Sequence, residues 1–567
     1  VLLRRLISAA LLLLAVGSGL HAQEQDPGRR ILEEQRRRER LEELERAQAG
    51  QEVVAPEAKG VVREEVCFPI DEIVLTGVTV LKPRVLEPIV AEFSGRCLGQ
   101  ASIGHLLQRI SGAYADKGYI TTRAYVPAQD ISSRELRIDV LEGRIEAFVY
   151  TQLDKDGQPR KSPQRKILSA FPARAGDVFQ LRDVEHGLEQ INRLASSQAN
   201  ANLTAGTAPG TSRVVVTEQK VDTVRGTVGI DNQGADESGE TQIRLGLEAD
   251  DLLRLNDTYT LSYSGAENSN ALALSMSVPF RKWLFSANAS YSEALTNLSP
   301  TSDLFTQTAN LGLRAERLIM RDARSKYYVY GALSSYWNER FVNIAALTPQ
   351  HRSAWRIGFR HEHRLEKAVI AADTALSFGA GFLGADRDPA VPVPGAPQAE
   401  YTALEIRINY IRPLENGRQF SLAVIGQIAD APLFSNEQLA IGGWNSVRGY
   451  NGFDVSGDSG FFLRSEYRFK ASPLDLRDWG KAFKTAGNWT PLRNAQGGVS
   501  PYLFADMGHV YSRATRTAAY MVSIGAGLTA RLGKTTLSGS LAMPLRNENG
   551  QTAGEVQALL SLSAKLF

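Results

Sequence analysis

Ser523-Ile524-Gly525-Ala526-Gly527-Leu528-Thr529-Ala530-Arg531-Leu532 is followed by Gly533-Lys534 and then Thr535-Thr536-Leu537-Ser538-Gly539-Ser540-Leu541-Ala542-Met543. Ile524, Ala526, Leu528, Ala530 and Leu532 alternate with small or polar residues, and Leu537, Gly539, Leu541 and Met543 carry the alternation back beyond the turn. A period of two puts successive side chains on opposite faces of a strand, so each half is a strand with one apolar face. The last segment repeats the pattern with Val556, Ala558, Leu560, Leu562, Ala564 and Leu566. Further back it recurs in Thr241–Glu248 (Ile243, Leu245, Leu247), in Thr258–Ser264 (Tyr259, Leu261, Tyr263) and in Leu272, Leu274, Met276 and Val278. A soluble sandwich alternates too, but it does not need residues 221–567 of it without a break. At roughly 20–24 residues per strand and connection, that stretch holds about 14 to 18 strands, an even-numbered transmembrane antiparallel β-barrel of about 16. A barrel of that size leaves an aqueous lumen, and only closure satisfies every backbone group in lipid. The expected fold is therefore mostly β.

The other end reads differently. Arg4-Arg5, an apolar run from Leu6 to Val16 and Leu20-His21-Ala22 before Gln23 have the form of a secretory signal peptide over residues 1–22, and Val1 fits an alternative start codon. Beyond it no run of about 18 apolar residues predicts a spanning helix. Residues 28–47 predict a helix that is polar nearly all round, with Ile31, Leu32, Leu41 and Leu44 among Arg and Glu. Glu33–Arg37, Glu34–Arg38 and Glu42–Arg46 support it by ~0.2–0.5 kcal/mol each. Such a helix has no stripe to bury, so it belongs on a solvated surface or in a water-filled cavity. Residues 48–65 read as a linker. Lys+Arg 64 against Asp+Glu 62 shows no nucleic-acid footprint. Export leaves Cys67 and Cys97 either paired as a disulfide or as two buried thiols.

From 66 to 143 the pattern is α/β: a strand at Ile70–Leu75, helices near Val85–Phe93 and Ser102–Lys117, and strands at Thr121–Pro127 and Glu135–Leu141. The order recurs over 144–220, with a strand at Ile145–Thr151, helices near Gln164–Phe171 and Leu181–Leu194, and strands at Asn200–Ala205 and Ser212–Glu218. Two copies make a tandem interaction arm. The β-α-α-β-β order resembles the POTRA domain, which receives unfolded polypeptide, often by pairing it with a sheet edge.

Between two of the barrel segments lies Ile441-Gly442-Gly443-Trp444-Asn445-Ser446-Val447-Arg448-Gly449-Tyr450. Its glycines permit close backbone approach, and its arginine is either a solvated loop charge or a fork aimed at one carboxylate.

Signal peptide, polar helix, two POTRA-like repeats and a large barrel together resemble the outer-membrane transporters of two-partner secretion, the TpsB family. Val447-Arg448-Gly449-Tyr450 matches that family's VRGY motif on the inward-folded sixth extracellular loop, here 440–460, and Phe504-Ala505-Asp506-Met507-Gly508 matches its (F/G)xDxG strand motif. Asp231-Asn232-Gln233-Gly234 and Ser435-Asn436-Glu437-Gln438 are also similar to family text. The resemblance implies an outer-membrane secretion pore rather than an enzyme, with no cofactor and no metal. Residues 23–47 would plug the lumen, and an Arg448–Asp506 pair, flanked by Phe504 and Gly508, would fix the loop inside it. Its partners would be a secreted TpsA-type exoprotein, outer-membrane lipid, periplasmic chaperones and the barrel-assembly machinery, with the pore itself a monomer. A barrel-assembly factor of the same superfamily and a passive porin are the alternatives.

Counting strands back from a periplasmic C-terminus opens the 440–460 loop outside and leaves 471–500, with Trp479 and Trp489, as a long periplasmic stretch. Phe567 fits a terminal aromatic but lies on the polar phase with Ser563 and Lys565, so it either turns at the strand end or is an atypical signal. Three further motifs carry little chemistry. Gly457-Asp458-Ser459-Gly460 echoes a serine-protease loop without partners, His361-Glu362-His363 puts two imidazoles on one solvated or lumen-facing strand face without a third ligand, and Asp154-Lys155-Asp156-Gly157 reads as a turn.

Overall fold

The computed structural model describes residues 26–48, 66–161, 163–234, 239–391, 393–450, 455–475, 496–548 and 550–567. The expected signal peptide (1–22), most of the linker (48–65), Trp479 and Trp489 lie outside the described residues. Helix α1 spans Pro27–Gln48.

In the first α/β unit, Glu72–Thr76 runs parallel to the central strand Glu135–Leu141, and Arg123–Tyr125 pairs with its other edge. Helices α2 (Pro83–Phe93) and α3 (Gln100–Asp116) cover one face. Leu106, Ile110 and Tyr114 of α3 pack on Leu136 and Ile138 of the sheet, as the 3.6 and 2.0 periods require. The strand predicted at Ile70–Leu75 is two strands, broken at Asp71. Asp71 donates its amide to the Arg134 carbonyl, and Phe68–Ile70 pairs instead with Arg96–Leu98. The Cys67–Cys97 disulfide closes that small ladder, its Cα atoms 5.3 Å apart. The predicted Thr121–Pro127 strand shortens to Arg123–Tyr125.

The second unit repeats the plan. Arg144–Leu153 runs parallel to Thr211–Lys220, and Ser197–Ala205 forms the free edge of that sheet. Helices α4 (Arg165–Ala170) and α5 (Leu181–Asn192) pack on it through Ile167, Ala170, Val184 and Ile191. Asp154 accepts the amides of Asp156 (3.0 Å) and Gln158 (2.9 Å), making the predicted turn.

Sixteen long strands then close a barrel. The first, Val224–Asp231, pairs antiparallel with the last, Gln557–Lys565, and the rest join neighbour to neighbour. Leu272, Leu274, Ile524, Leu528, Leu541 and Leu560 point outward and exposed, while Ser290, Thr308, Ser523 and Ser540 face inward. Tight turns at 281–282, 322–324, 366–367 and 533–534 mark one end, and the long connections 380–401 and 430–458 mark the other. Among the described residues no helix is long and apolar enough to cross a membrane; here the strands do so. Ser472–Asp475 pairs with Gln496–Val499, so part of the long stretch extends two barrel strands. Lys565 ends the last strand, the Leu566 amide donates to the Gly226 carbonyl (2.8 Å), and the Phe567 ring lies over Gly226. Phe567 thus turns at the strand end.

The second unit docks on the tight-turn end. Lys166 of α4, fully buried, reaches Glu218 at 2.8 Å within its own unit and Asp251 of the barrel at 3.0 Å. Glu189 of α5 pairs with Arg321 at 2.6 Å and Lys326 at 3.0 Å, and Asp183 with Lys282 at 2.9 Å.

Candidate functional site

The lumen holds two foreign elements, helix α1 and the inward loop between Arg418–Ala429 and Ser459–Arg468. Helix α1 meets the wall almost entirely through polar groups. The Gln35 amide donates to Ser262 Oγ (2.6 Å) and Arg36 to Asn288 Oδ1 (3.1 Å). Arg40 pairs with Glu362 at 3.2 Å and Glu34 with Arg244 at 2.5 Å. Asn310 donates to Asp26 Oδ2 at the opposite end of the helix (2.7 Å). A helix polar on every side fits a water-filled cavity. Three leucines break the rule: Leu32 is buried, and Leu44, fully buried, packs with Val369, Ala371 and Ile411 near the tight-turn end, with Leu41 against the same cluster.

The loop spans 430–458, wider than the 440–460 read from the sequence, because pairing ends at Ala429 and resumes only at Ser459. Within it Leu439–Ile441 pairs with Val455–Gly457 as a small ribbon, and Gly442–Tyr450 forms its inner end. Gly442, Gly443 and Gly449 have φ of 114°, 68° and 93°, a region L side chains rarely adopt, which explains the glycine spacing.

Strand Gln496–Ser512 supplies the wall opposite. Alternation turns Phe504, Asp506, Gly508 and Val510 inward and Leu503, Met507 and Tyr511 outward. Arg448 Nε lies 2.6 Å from Asp506 Oδ2 and Nη2 lies 2.8 Å from Oδ1, a two-pronged fork, and the Arg448 amide donates to the same carboxylate at 3.3 Å. The guanidinium stacks 3.6 Å above the Phe504 ring. Arg448 is 2% exposed and Asp506 1%. Val447 packs with Ile441, Val510 and Met521, and a Cβ on Gly508 would come within 3.0 Å of Val447. Tyr450 donates its hydroxyl to the carbonyls of Arg546 (2.9 Å) and Val522 (3.1 Å). Val447, Arg448, Gly449, Tyr450, Phe504, Asp506 and Gly508 therefore converge. Cys67 and Cys97 lie apart, in the first α/β unit.

Two carboxylates have a part in this site that the sequence reading did not give them. Glu466 accepts from Arg448 Nη1 at 3.3 Å and pairs with Arg468 at 2.5 Å; its place on an inward phase beside the motif is the signal that could have found it. Asp458 is fully buried and accepts the amides of Leu433 (2.7 Å) and Arg513 (2.6 Å) and the Gln438 side chain (3.0 Å). The stretch that echoed a protease loop is thus the clamp at the loop's base, and Ser459 Oγ accepts the Ala429 amide at 3.1 Å. The histidine pair needs a correction too. His361 shares the outward phase of Trp355, Ile357 and Phe359 and stacks on Tyr327, so it faces away from the lumen. His361 and His363 do share a face, 5.8 Å apart, but no group of three potential metal-binding side chains occurs among the described residues.

A closed sixteen-strand barrel, two tandem α/β units of which the second docks on its tight-turn end, and an arginine-bearing loop held inside define a POTRA-barrel transporter of the outer membrane. The model of the haemolysin secretion/activation protein family ShlB/FhaC/HecB matches residues 210–530, and POTRA models match 68–143 (ShlB-type) and 144–205. The chain belongs to that family: it is a two-partner secretion transporter, with its POTRA units in the periplasm. The outer membrane transporter CdiB of Dickeya dadantii is 28% identical over 72% of this chain and 74% of its own. The hemolysin transporter ShlB of Serratia marcescens is 27% identical over 72% and 73%. The solved structure of CdiB from Escherichia coli superposes with a TM-score of 0.84 at 22% identity, covering 97% of this chain and 100% of that one, a likeness of fold.

Proposed function

We propose that the cargo is one large exoprotein of the TpsA type. The POTRA units capture its amino-terminal secretion domain, and the chain then threads through the lumen in extended form and folds outside. Helix α1 is the resting plug, and the VRGY loop keeps the pore interior in order. Periplasmic chaperones and the barrel-assembly machinery would deliver cargo and insert the barrel. The observation that carries this reading is a lumen lined with charge and hydroxyl groups and occupied by helix α1 through mostly polar contacts. Such contacts exchange for water at small net cost, so the helix can leave a pore wide enough for an extended chain. A passive porin has no use for an arm, and the named relatives, CdiB and ShlB, are transporters. The test is co-expression with a large exported protein encoded beside this gene. That protein should reach the medium only when this chain is present; its appearance without the chain, or retention with it, rejects the assignment.

A further inference from the structure

The wall beside the clamp carries a cation that the clamp does not use. Arg464 lies directly opposite Asp506 on the neighbouring strand, and its other cross-strand neighbour is Ala423. Residues paired this way have Cβ atoms ~5 Å apart, within reach of a long side chain. Arg464 is 8% exposed, and its buried Nη1 has no hydrogen-bond partner among the described residues. It feels the like charges of Arg37 from helix α1 and Arg448 from the loop, and the opposite charges of Asp506 and Glu466. Glu466 already serves Arg448 and Arg468. A buried guanidinium with an unmade bond, next to a carboxylate held by a different arginine, is an arrangement with a second state.

We propose that Arg464 is the stand-by partner of Asp506, which takes over the carboxylate when Arg448 withdraws and so makes the inward loop releasable. Removing one partner of a buried ion pair leaves an uncompensated charge, a large barrier to loop movement. Arg464 removes that barrier by exchange, since the carboxylate keeps a guanidinium throughout and Arg448 leaves a cluster crowded with positive charge. Arg464 is a positioning residue: it acts on the loop through Asp506. The inference needs only loop movement, not the cargo assignment above, and its test uses no cargo.

Cys67 and Cys97 are joined, so a cysteine introduced at Asn445 in the full-length protein is the one free thiol. Its labelling by a membrane-impermeant maleimide in proteoliposomes reports the fraction of time the loop is released. Arg464→Gln and Arg464→Met should each slow labelling about tenfold, which corresponds to about 1.4 kcal/mol, while Arg464→Lys should stay near the parent rate. Heat-modifiable gel migration identifies the variants with intact barrels. With Asp506→Asn in place labelling should be fast, and adding Arg464→Gln should change it no further. Unchanged or faster labelling in folded Arg464→Gln or Arg464→Met, or a slowing that persists with Asp506→Asn, overturns the proposal. Failed secretion with normal exchange would instead count against the cargo reading.

Discussion

At the scale of single residues, Arg448 and Asp506 give the chain its most specific chemistry, and their surroundings make the two unequal. Asp506 without Arg448 still faces Arg464 across the strand pair, whereas Arg448 without Asp506 is left among cations with a shared bond to Glu466 and the Phe504 ring. Asp506→Ala should therefore destabilise the barrel by about 3–5 kcal/mol, in the range for breaking a buried pair, and Arg448→Ala by less. Urea midpoints in lipid vesicles measure the order, and equal losses would count against it. The double variant should lose less than the two single losses combined, by about 1–3 kcal/mol of coupling. An exchange of the charges, Arg448→Asp with Asp506→Arg, should recover only part of the loss. It brings a second carboxylate towards Glu466, sets a second guanidinium opposite Arg464, and gives up the stacking on Phe504. Much of this pair was legible in the sequence because VRGY and FxDxG are contiguous motifs. Glu466, Arg464 and Asp458 were not, because their roles depend on strand register and on which amides a loop presents, and neither leaves a contiguous signature.

Among the elements, helix α1 and the inward loop occupy the same lumen by different means. The loop is closed at its base by Asp458 and at its inner end by the Arg448 fork, both buried. Helix α1 is held by side-chain bonds that water can replace, plus two buried leucines, of which Leu44 is the deeper and the one seated in an apolar cluster of the wall. Replacing a buried leucine by alanine costs about 2–5 kcal/mol, more than any one of those polar contacts nets. Leu44 is therefore the latch. Leu44→Ala should raise the open fraction of the pore in planar bilayers at least tenfold, and deletion of 26–48 should raise mean conductance further. Conductance unchanged by the deletion would sink the plug reading. The sequence showed that the helix is polar on all sides but left a solvated surface and a wet cavity equally open, since both present water to it. Strand phases were readable for the same reason that the barrel was: lipid outside and water inside enforce alternation along every strand.

On the scale of the whole molecule, the question is whether the arm and the barrel move as one body, and the contacts at their junction answer with charge. His186 of α5 lies buried with Nε2 2.9 Å from the Arg281 carbonyl, facing Glu189 and Asp183 on its own helix and Arg321 and Lys326 on the barrel. Burial pushes its pKa down to about 4, with the two barrel cations adding to the effect and the two carboxylates opposing it. The Glu189 carboxyl is also held down, to about 2: burial alone would raise it, but Lys326 and Arg321 together outweigh the burial. Both shifts have the same consequence. A depressed pKa means that the undocked or unfolded form binds the proton more readily, so docking is strongest above the free-group values and weakens as pH falls. The windows differ: the histidine acts from its free value of about 6.5 down to about 4, and the glutamate only below its ordinary carboxylate range. Between pH 6 and 4.5 the histidine dominates, and docking should lose about 1.4 kcal/mol per pH unit there. Hydrogen-exchange protection of α5 and of the 281–282 turn, corrected for intrinsic rates, should drop over that interval and recover on return to pH 7.5. His186→Gln keeps a hydrogen-bonding side chain but cannot titrate, so its protection should be flat across the same interval. A parent-like drop in that variant would place the pH sensitivity elsewhere, and a flat profile in the parent would show the arm to be fixed whatever the charge on His186.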